Sequence, residues 1–274
     1  MRVRTLWFAF LLVVATAGSA RAADPPYYVA LGDSLSIGIQ PKANGDYGAT
    51  VHGYVDDLYA FYRTQISGLR LQKLGCNGET TSSFISGLES GCKYHEGNQL
   101  AQAVAFIKTH RVALITLDIG GDNLLHCLSL TSPIDPVCVA NATTTAAIDL
   151  AGILGTLQAT AQATGQNILI VGANYYNPFA AAWIFGPQGQ TLAAVSLVAT
   201  ATFNQALETT YQALQVPFAD VAAVFRTGSF PANVVFALAW TWMSAPPPQG
   251  PDVHPNALGY LAIASAFSKA ISAP

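Results

Sequence analysis

Five short apolar runs alternate with longer helical patterns along this 274-residue chain, and that alternation limits the fold more than any other feature. The runs fall at 27–31, 69–74, 112–117, 167–171 and 217–221. Helical patterns lie near 53–66, 98–110, 142–164 and 191–214, and a last helix is expected from Pro255. Leu100, Val104 and Ile107, for example, recur at the spacing of one helical face. A helix between consecutive strands acts as a right-handed crossover and makes the strands parallel. The pattern therefore predicts an α/β chain, a three-layer α/β/α sandwich around a five-stranded parallel sheet. There is no internal repeat and no linker. The proline-rich stretch 245–251 is followed by only one more helix, so 23–274 reads as a single domain.

In such sheets ligands gather at the carboxyl ends of the strands. The first run leads into Gly32-Asp33-Ser34-Leu35-Ser36 and the second into Gly75-Cys76-Asn77-Gly78-Glu79-Thr80-Thr81. The third leads into Asp118-Ile119-Gly120-Gly121-Asp122-Asn123. Before the last helix comes Asp252-Val253-His254-Pro255, the only Asp-x-His in the chain. These groups suit hydrolysis through a serine. The hydroxyl needs a base to take its proton, and the base needs a group to orient it. Ser34, His254 and Asp252 fill those roles. A carbonyl oxygen that gains charge needs neutral donors. The N–H groups of Ser34 and Gly78 and an amide near 122–123 would supply them.

Each block also has a plainer reading. Gly-Asp-Ser forms turns and caps, Gly78 suits a backbone turn, and Asp252 with Pro255 suits a helix start. The joint occurrence of the blocks, each at a strand end or helix start, favours the catalytic reading. His52, His95, His110 and His126 read as surface or loop residues, since none follows an acid by two or three positions. G-x-S-x-G, H-E-x-x-H, G-x-G-x-x-G and the P-loop are all absent. No close Cys or His pair suits zinc. No metal and no cofactor are expected.

Apolar residues make up 51% of the chain and charged residues 10%, enough apolar material for a sizeable core. Residues 1–22 read as a secretory signal: Arg2 and Arg4, an apolar stretch over 6–17, and an Ala20-Arg21-Ala22 cleavage site. That stretch is shorter than the roughly 20 residues a bilayer span needs, so no stable membrane anchor is expected. Removal of 1–22 takes three Arg and no acid, leaving 9 bases against 15 acids and a net charge of −6. With no basic run, no nucleic-acid partner is expected. A secreted or periplasmic location suits the four cysteines, whose even count suggests two disulfides. Three pairings are possible. The short local ones, Cys76–Cys92 and Cys127–Cys138, are expected over the others and over buried free thiols.

The four blocks resemble those of the GDSL, or SGNH, esterases and lipases, over nearly the whole mature chain. Gly32-Asp33-Ser34-Leu35 and Asp252-Val253-His254-Pro255 are the most specific, and the stretch 74–81 is similar to a secreted bacterial branch. The resemblance implies a flavodoxin-like sheet, the SGNH hydrolase fold. It also implies metal-free cleavage of carboxylic esters, lipid or short-chain acyl, through an acyl-enzyme. By position, Ser34 is the nucleophile and an oxyanion donor through its N–H. Gly78 is the second donor, His254 the base and Asp252 its orienter.

Two departures stand out. Many members place two residues between Asp and His, whereas here only Val253 intervenes. The family's third block reads Gly-x-Asn-Asp, and here its last two residues are exchanged to Asp122-Asn123. A carboxylate aimed at the oxyanion would repel it. Asn123 is therefore expected as the third donor, through a one-residue change in loop path that Gly120 and Gly121 permit. A protonated Asp122 is the alternative. The run 234–243 reads as an acyl pocket or as ordinary core, and Tyr175-Tyr176 as a sugar-stacking pair or as core. A monomer acting on a small-molecule ester or lipid is expected. A polysaccharide acetyl esterase is the alternative enzyme, and a non-catalytic binding module with a decayed site is the alternative from another class.

Overall fold

The computed structural model describes residues 24–128 and 134–273; the leader and cleavage site read in 1–22 lie outside them. The first half contains β1 (Tyr27–Gly32), a hairpin of β2 (Ile39–Pro41) and β3 (Tyr47–Ala49), α1 (Tyr54–Tyr62) and β4 (Arg70–Lys73). There follow α2 (Thr81–Ser86), α3 (Gln99–Thr109), β5 (Val112–Asp118), α4 (Gly121–Leu125) and α5 (Pro136–Ala163). The second half contains β6 (Leu169–Ala173), a 3-10 segment (Pro178–Phe185), α6 (Gly186–Ala213), β7 (Phe218–Ala219) and α7 (Val221–Val224). Then come α8 (Ala232–Trp240), a 3-10 turn (Trp242–Ser244) and α9 (Ala257–Ile271).

The sheet order is β4-β1-β5-β6-β7, with every neighbouring pair parallel. Ranked by chain position among the sheet strands this is 2-1-3-4-5, the flavodoxin-like order. All five apolar runs therefore become strands, although the last shrinks to two residues. Helices α1 and α9 pack together on one face, and α3, α5 and α6 on the other. Both faces of the central strands are covered, so β1 and β5 are almost wholly buried, as parallel strands must be.

Helix boundaries differ from the sequence expectation for local reasons. Helix α5 starts at Pro136, six residues before 142, because the Asp135 side chain caps the Val137 N–H and Pro136 needs no donor at that position. Helix α9 starts at Ala257 rather than Pro255, because Asn256 Oδ1 accepts from the N–H groups of Leu258 and Gly259. In α3 the buried face is Gln99, Ala103 and Ile107, while Leu100 and Val104 are only half-buried. The helix is rotated by a polar clamp: the Gln99 amide accepts from Gly32 N at 2.7 Å and donates to Gly32 O at 3.0 Å. Helix α5 is long and apolar enough to cross a membrane by length and composition. It packs instead against α2, α3, α4 and α6, burying Ala146, Leu150, Ile153, Leu154 and Leu157.

Cys76 is bonded to Cys92 and Cys127 to Cys138, and no free cysteine remains among the described residues. The first bridge closes the loop that leaves β4, across a separation of 16 residues. Constraining a loop of this length in the unfolded chain contributes about 3 kcal/mol in the chain-entropy account. A Cys76→Ser/Cys92→Ser variant is expected to melt roughly 6–12 °C lower in a calorimetric scan. An unchanged melting temperature would show that the loop is held by its other contacts.

Candidate active site

Strand β1 ends at Gly32, whose φ is +133°. A Cβ there would lie 2.0 Å from the Asp118 carbonyl oxygen, so only glycine lets the ends of β1 and β5 come this close. The next residues close a tight turn. Asp33 Oδ1 accepts from Leu35 N at 2.9 Å, and Ser36 Oγ donates to the Asp33 carbonyl at 2.8 Å. The turn reading of this block is what the structure shows, and the turn holds Ser34 at the top of the sheet, as the catalytic reading requires.

His254 is fixed from several sides. Asp252 Oδ1 accepts from both the backbone N–H (3.0 Å) and ring Nδ1 (2.9 Å) of His254. With the Nδ1 proton directed to Asp252, Nε2 is left as the acceptor. Burial alone would raise the Asp252 pKa; the hydrogen bonds and charge of His254, helped by Tyr47, outweigh it and hold the carboxyl below its usual value. Tyr47 donates to Asp252 Oδ2 at 2.8 Å, and its ring lies 5.5 Å from the His254 ring. Tyr176 donates to the Val253 carbonyl at 2.7 Å. Across the short Asp-x-His spacing one carboxylate oxygen serves both His254 groups, while Tyr47 of the β2–β3 hairpin holds the other.

Ser34 and His254 line one cavity of ≈ 50 Å³. Its remaining wall is mostly apolar, with leucines 35, 124, 125 and 128 and the rings of Tyr175, Tyr176 and Phe203, joined by the carboxyl-bearing Asp33 and Asp122. Among the described residues no hydrogen bond joins Ser34 to His254, a contact that commonly tightens only when substrate binds.

The other site candidates divide. Asp122 faces the cavity, whereas Asn123 is turned away. Both Asn123 amide atoms are engaged by Thr81: Oδ1 accepts from its N–H at 2.9 Å and Nδ2 donates to its Oγ1 at 3.0 Å. The expected shift of Asn123 toward the oxyanion position is therefore not what the loop does; it ties α4 to the start of α2. Gly78 is exposed, with φ +78°, in the turn after β4, and is not part of the cavity wall. The run 234–243 forms α8 and the turn after it and contributes nothing to the wall. Val234, Ala237 and Met243 are core, and the acyl-pocket reading of this stretch gives way to the plainer one. His52, His95, His110 and His126 are exposed, as expected.

A model of the GDSL-like lipase/acylhydrolase family matches residues 30–262. The chain belongs to this family. Its fold is shared with an extracellular lipase from Streptomyces rimosus (TM-score 0.60, 18% identity, 89% of this chain and 99% of that one). It is also shared with phospholipase A1 from Streptomyces albidoflavus (TM-score 0.58, 18% identity, 90% and 99%). A third neighbour is the acetylxylan esterase Axe2 from Geobacillus stearothermophilus (TM-score 0.55, 15% identity, 92% and 96%). No curated protein matches the chain in sequence. This GDSL protein is a carboxylic ester hydrolase, and between enzyme and non-catalytic module the family decides for the enzyme.

Tyr47 was invisible to motif reading, because it lies 205 residues from Asp252 on a hairpin of three-residue strands. Its side chain is half exposed, so its loss should leave the fold intact. Burial, then the Asp252 hydrogen bond and charge, raise the Tyr47 pKa, and it remains a donor across the neutral range. Tyr47→Phe removes one hydrogen bond of about 0.5–1.5 kcal/mol and is expected to lower kcat about 2- to 12-fold in steady-state ester hydrolysis. An unchanged kcat would assign Tyr47 no positioning role.

Proposed function

We propose that the chain is an exported serine esterase that cleaves carboxylic esters with short acyl groups through an acyl-enzyme. The observation that carries this reading is the shared cavity: Ser34, the Asp252-bound His254 and an apolar wall meet in one place at the carboxyl ends of the strands. Ser34 Oγ attacks the ester carbonyl carbon while His254 Nε2 takes its proton, and Asp252 stabilises the imidazolium that forms. The carbonyl π pair moves onto oxygen, where the N–H of Ser34 donates, with Gly78 proposed as a second donor once substrate is seated. As the tetrahedral adduct collapses, His254 returns the proton to the leaving alkoxide. Water then repeats the sequence against the acyl-enzyme and releases the acid.

The size of the cavity supports the short acyl group. At ≈ 50 Å³ it has about a third of the volume of the ~150 Å³ apolar cavity that admits benzene. Acetyl to butyryl groups match it, while a long chain would have to lie outside. Export is supported by the leader-like residues 1–22, and the two disulfides fit an oxidising compartment. A polysaccharide acetyl ester has the same acyl half, so it remains the second reading.

A fluorophosphonate, which mimics the tetrahedral adduct, is expected to label Ser34, and Ser34→Ala to abolish labelling and turnover. His254→Ala is expected to lose kcat by a comparable factor, since the members act as a unit. Labelling that survives Ser34→Ala would overturn the assignment. Across nitrophenyl esters from acetate to palmitate, kcat/KM is expected to peak at two to four carbons, the length suggested by the ≈ 50 Å³ cavity. Acetylated xylan tested beside them separates the second reading, and a peak at palmitate would refute the short-acyl assignment.

A further inference from the structure

Four carboxyl groups converge behind the nucleophile without a cation. Asp33, Asp118 and Glu79 are buried, and Asp122 is partly buried in the wall of the cavity it shares with Ser34 and His254. Among the described residues no Lys or Arg pairs with any of them; the ion pairs are Lys73–Asp56, His95–Glu96 and His254–Asp252. Three of the four have neutral partners. Tyr175 donates to Asp33 Oδ2 at 3.0 Å, Tyr54 donates to Asp118 Oδ1, and Ser90, Tyr94 and Gln99 donate to Glu79 Oε2. Asp122 alone receives no hydrogen bond from the described side chains or backbone. It is also the one polar side chain of its loop that reaches the cavity, because Thr81 holds the Asn123 amide.

We propose that Asp122 acts as a neutral carboxylic acid that donates its Oδ–H hydrogen bond to the oxygen of the tetrahedral adduct, so that the enzyme works with a proton resident on this residue. The inference rests on the Ser34 reading above. An ionised Asp122 about 4 Å from the oxyanion would slow the reaction roughly a thousandfold at an effective dielectric near 20. A protonated one reverses the sign of that interaction. The proton stays on Asp122 throughout: the Ser34 proton goes to His254 and then to the leaving alkoxide, and Asp122 only lends its O–H to the oxygen that holds the displaced π pair.

The surroundings favour the neutral form. The groups facing Asp122 are Asp33 from the β1 turn, Glu79 from the turn after β4, Tyr175 and Tyr176 from the end of β6, and His254. Asp118 lies below, at the end of β5, and His126 follows on the same helix but is exposed. Burial first, then the charges of Asp33 and Glu79, push the Asp122 pKa up to about 8. Tyr175 and Tyr176 are held well above their ordinary value, chiefly by burial, and do not ionise in this range.

The test is a pH profile of nitrophenyl acetate hydrolysis for the wild type, Asp122→Asn, Asp122→Ala and Asn123→Ala. Wild-type kcat is expected to fall tenfold per unit as pH rises above about 8. Asp122→Asn keeps a donor at every pH; it should stay within about tenfold of wild type at pH 7 and exceed it above pH 9. Asp122→Ala should lose about 10²- to 10³-fold at pH 7, the usual loss for one oxyanion donor. A readout free of activity accompanies these. The unfolded chain releases this proton near 3.8 and the native protein near 8, so stability from this group is present below 3.8 and is lost as pH rises through that window. The melting temperature of the wild type should therefore fall relative to Asp122→Asn between those values. The inference is overturned if Asp122→Asn keeps the same alkaline fall, if Asp122→Ala matches wild type, or if Asn123→Ala alone shows the loss. Fluorophosphonate labelling of Ser34 in each variant separates the two readings. Normal labelling with any of those outcomes sinks only the Asp122 role, whereas no labelling of the wild type sinks the Ser34 assignment as well.

Discussion

The close approach of β1 and β5 at their carboxyl ends is the contact on which the site depends. Asp33 N donates to the Asp118 carbonyl at 3.0 Å, directly beyond the last register pair of the two strands, Gly32 with Asp118. Glycine at 32 leaves no atom in the way, and the Gln99 amide grips both backbone groups of that glycine from α3. The Ser34 turn and the 120–123 loop are thereby set side by side, which two parallel strands with bulkier ends could not do. A helix face that would otherwise present Leu100 and Val104 is rotated to keep this polar clamp. The backbone of the Ser34 turn thus takes precedence over apolar burial in α3.

The same approach forces two carboxyls together in the interior. Burial, and then the Asp33 charge, push Asp118 well above the usual carboxyl range, while Tyr54 bonds its Oδ1. Its Oδ2 has no partner as a carboxylate; protonated, Asp118 can donate to Asp33. Holding a proton is the low-energy solution where acids are buried without cations, because an unpaired buried charge is far less favourable than a hydrogen-bonded acid. Asp122 stands in the same field, one loop further out.

Tyrosines carry much of the positioning. Tyr54 and Tyr175 reach the acid pair from α1 and from the end of β6, Tyr176 holds the Val253 carbonyl, and Tyr47 holds the free oxygen of Asp252. Each combines an apolar ring that packs with a hydroxyl that donates, which suits a site walled by leucine and phenylalanine but built around carboxylates. The ring of Tyr175 also fills the space beside Gly121, where a Cβ would come within 2.7 Å of it.

The order of strands and helices, the blocks at 32–35 and 252–255, and the separation of His254 from the four exposed histidines were all legible in the sequence. They are local properties: periodicity, turn chemistry and the spacing of one acid from one imidazole. What tertiary structure alone decided were choices between neighbours. Asp122 rather than Asn123 faces the cavity because Thr81, 42 residues away, captures the amide. The apolar wall comes from α4, α6 and the end of β6 rather than from 234–243, whose helix α8 packs against the 3-10 segment 178–185 and α9. Tyr47 reaches Asp252 across 205 residues on a hairpin too short to leave a periodic signal. A sequence pattern fixes which face of an element is apolar, but which side chain meets which partner depends on how distant elements are rotated and clamped, and no local spacing records that.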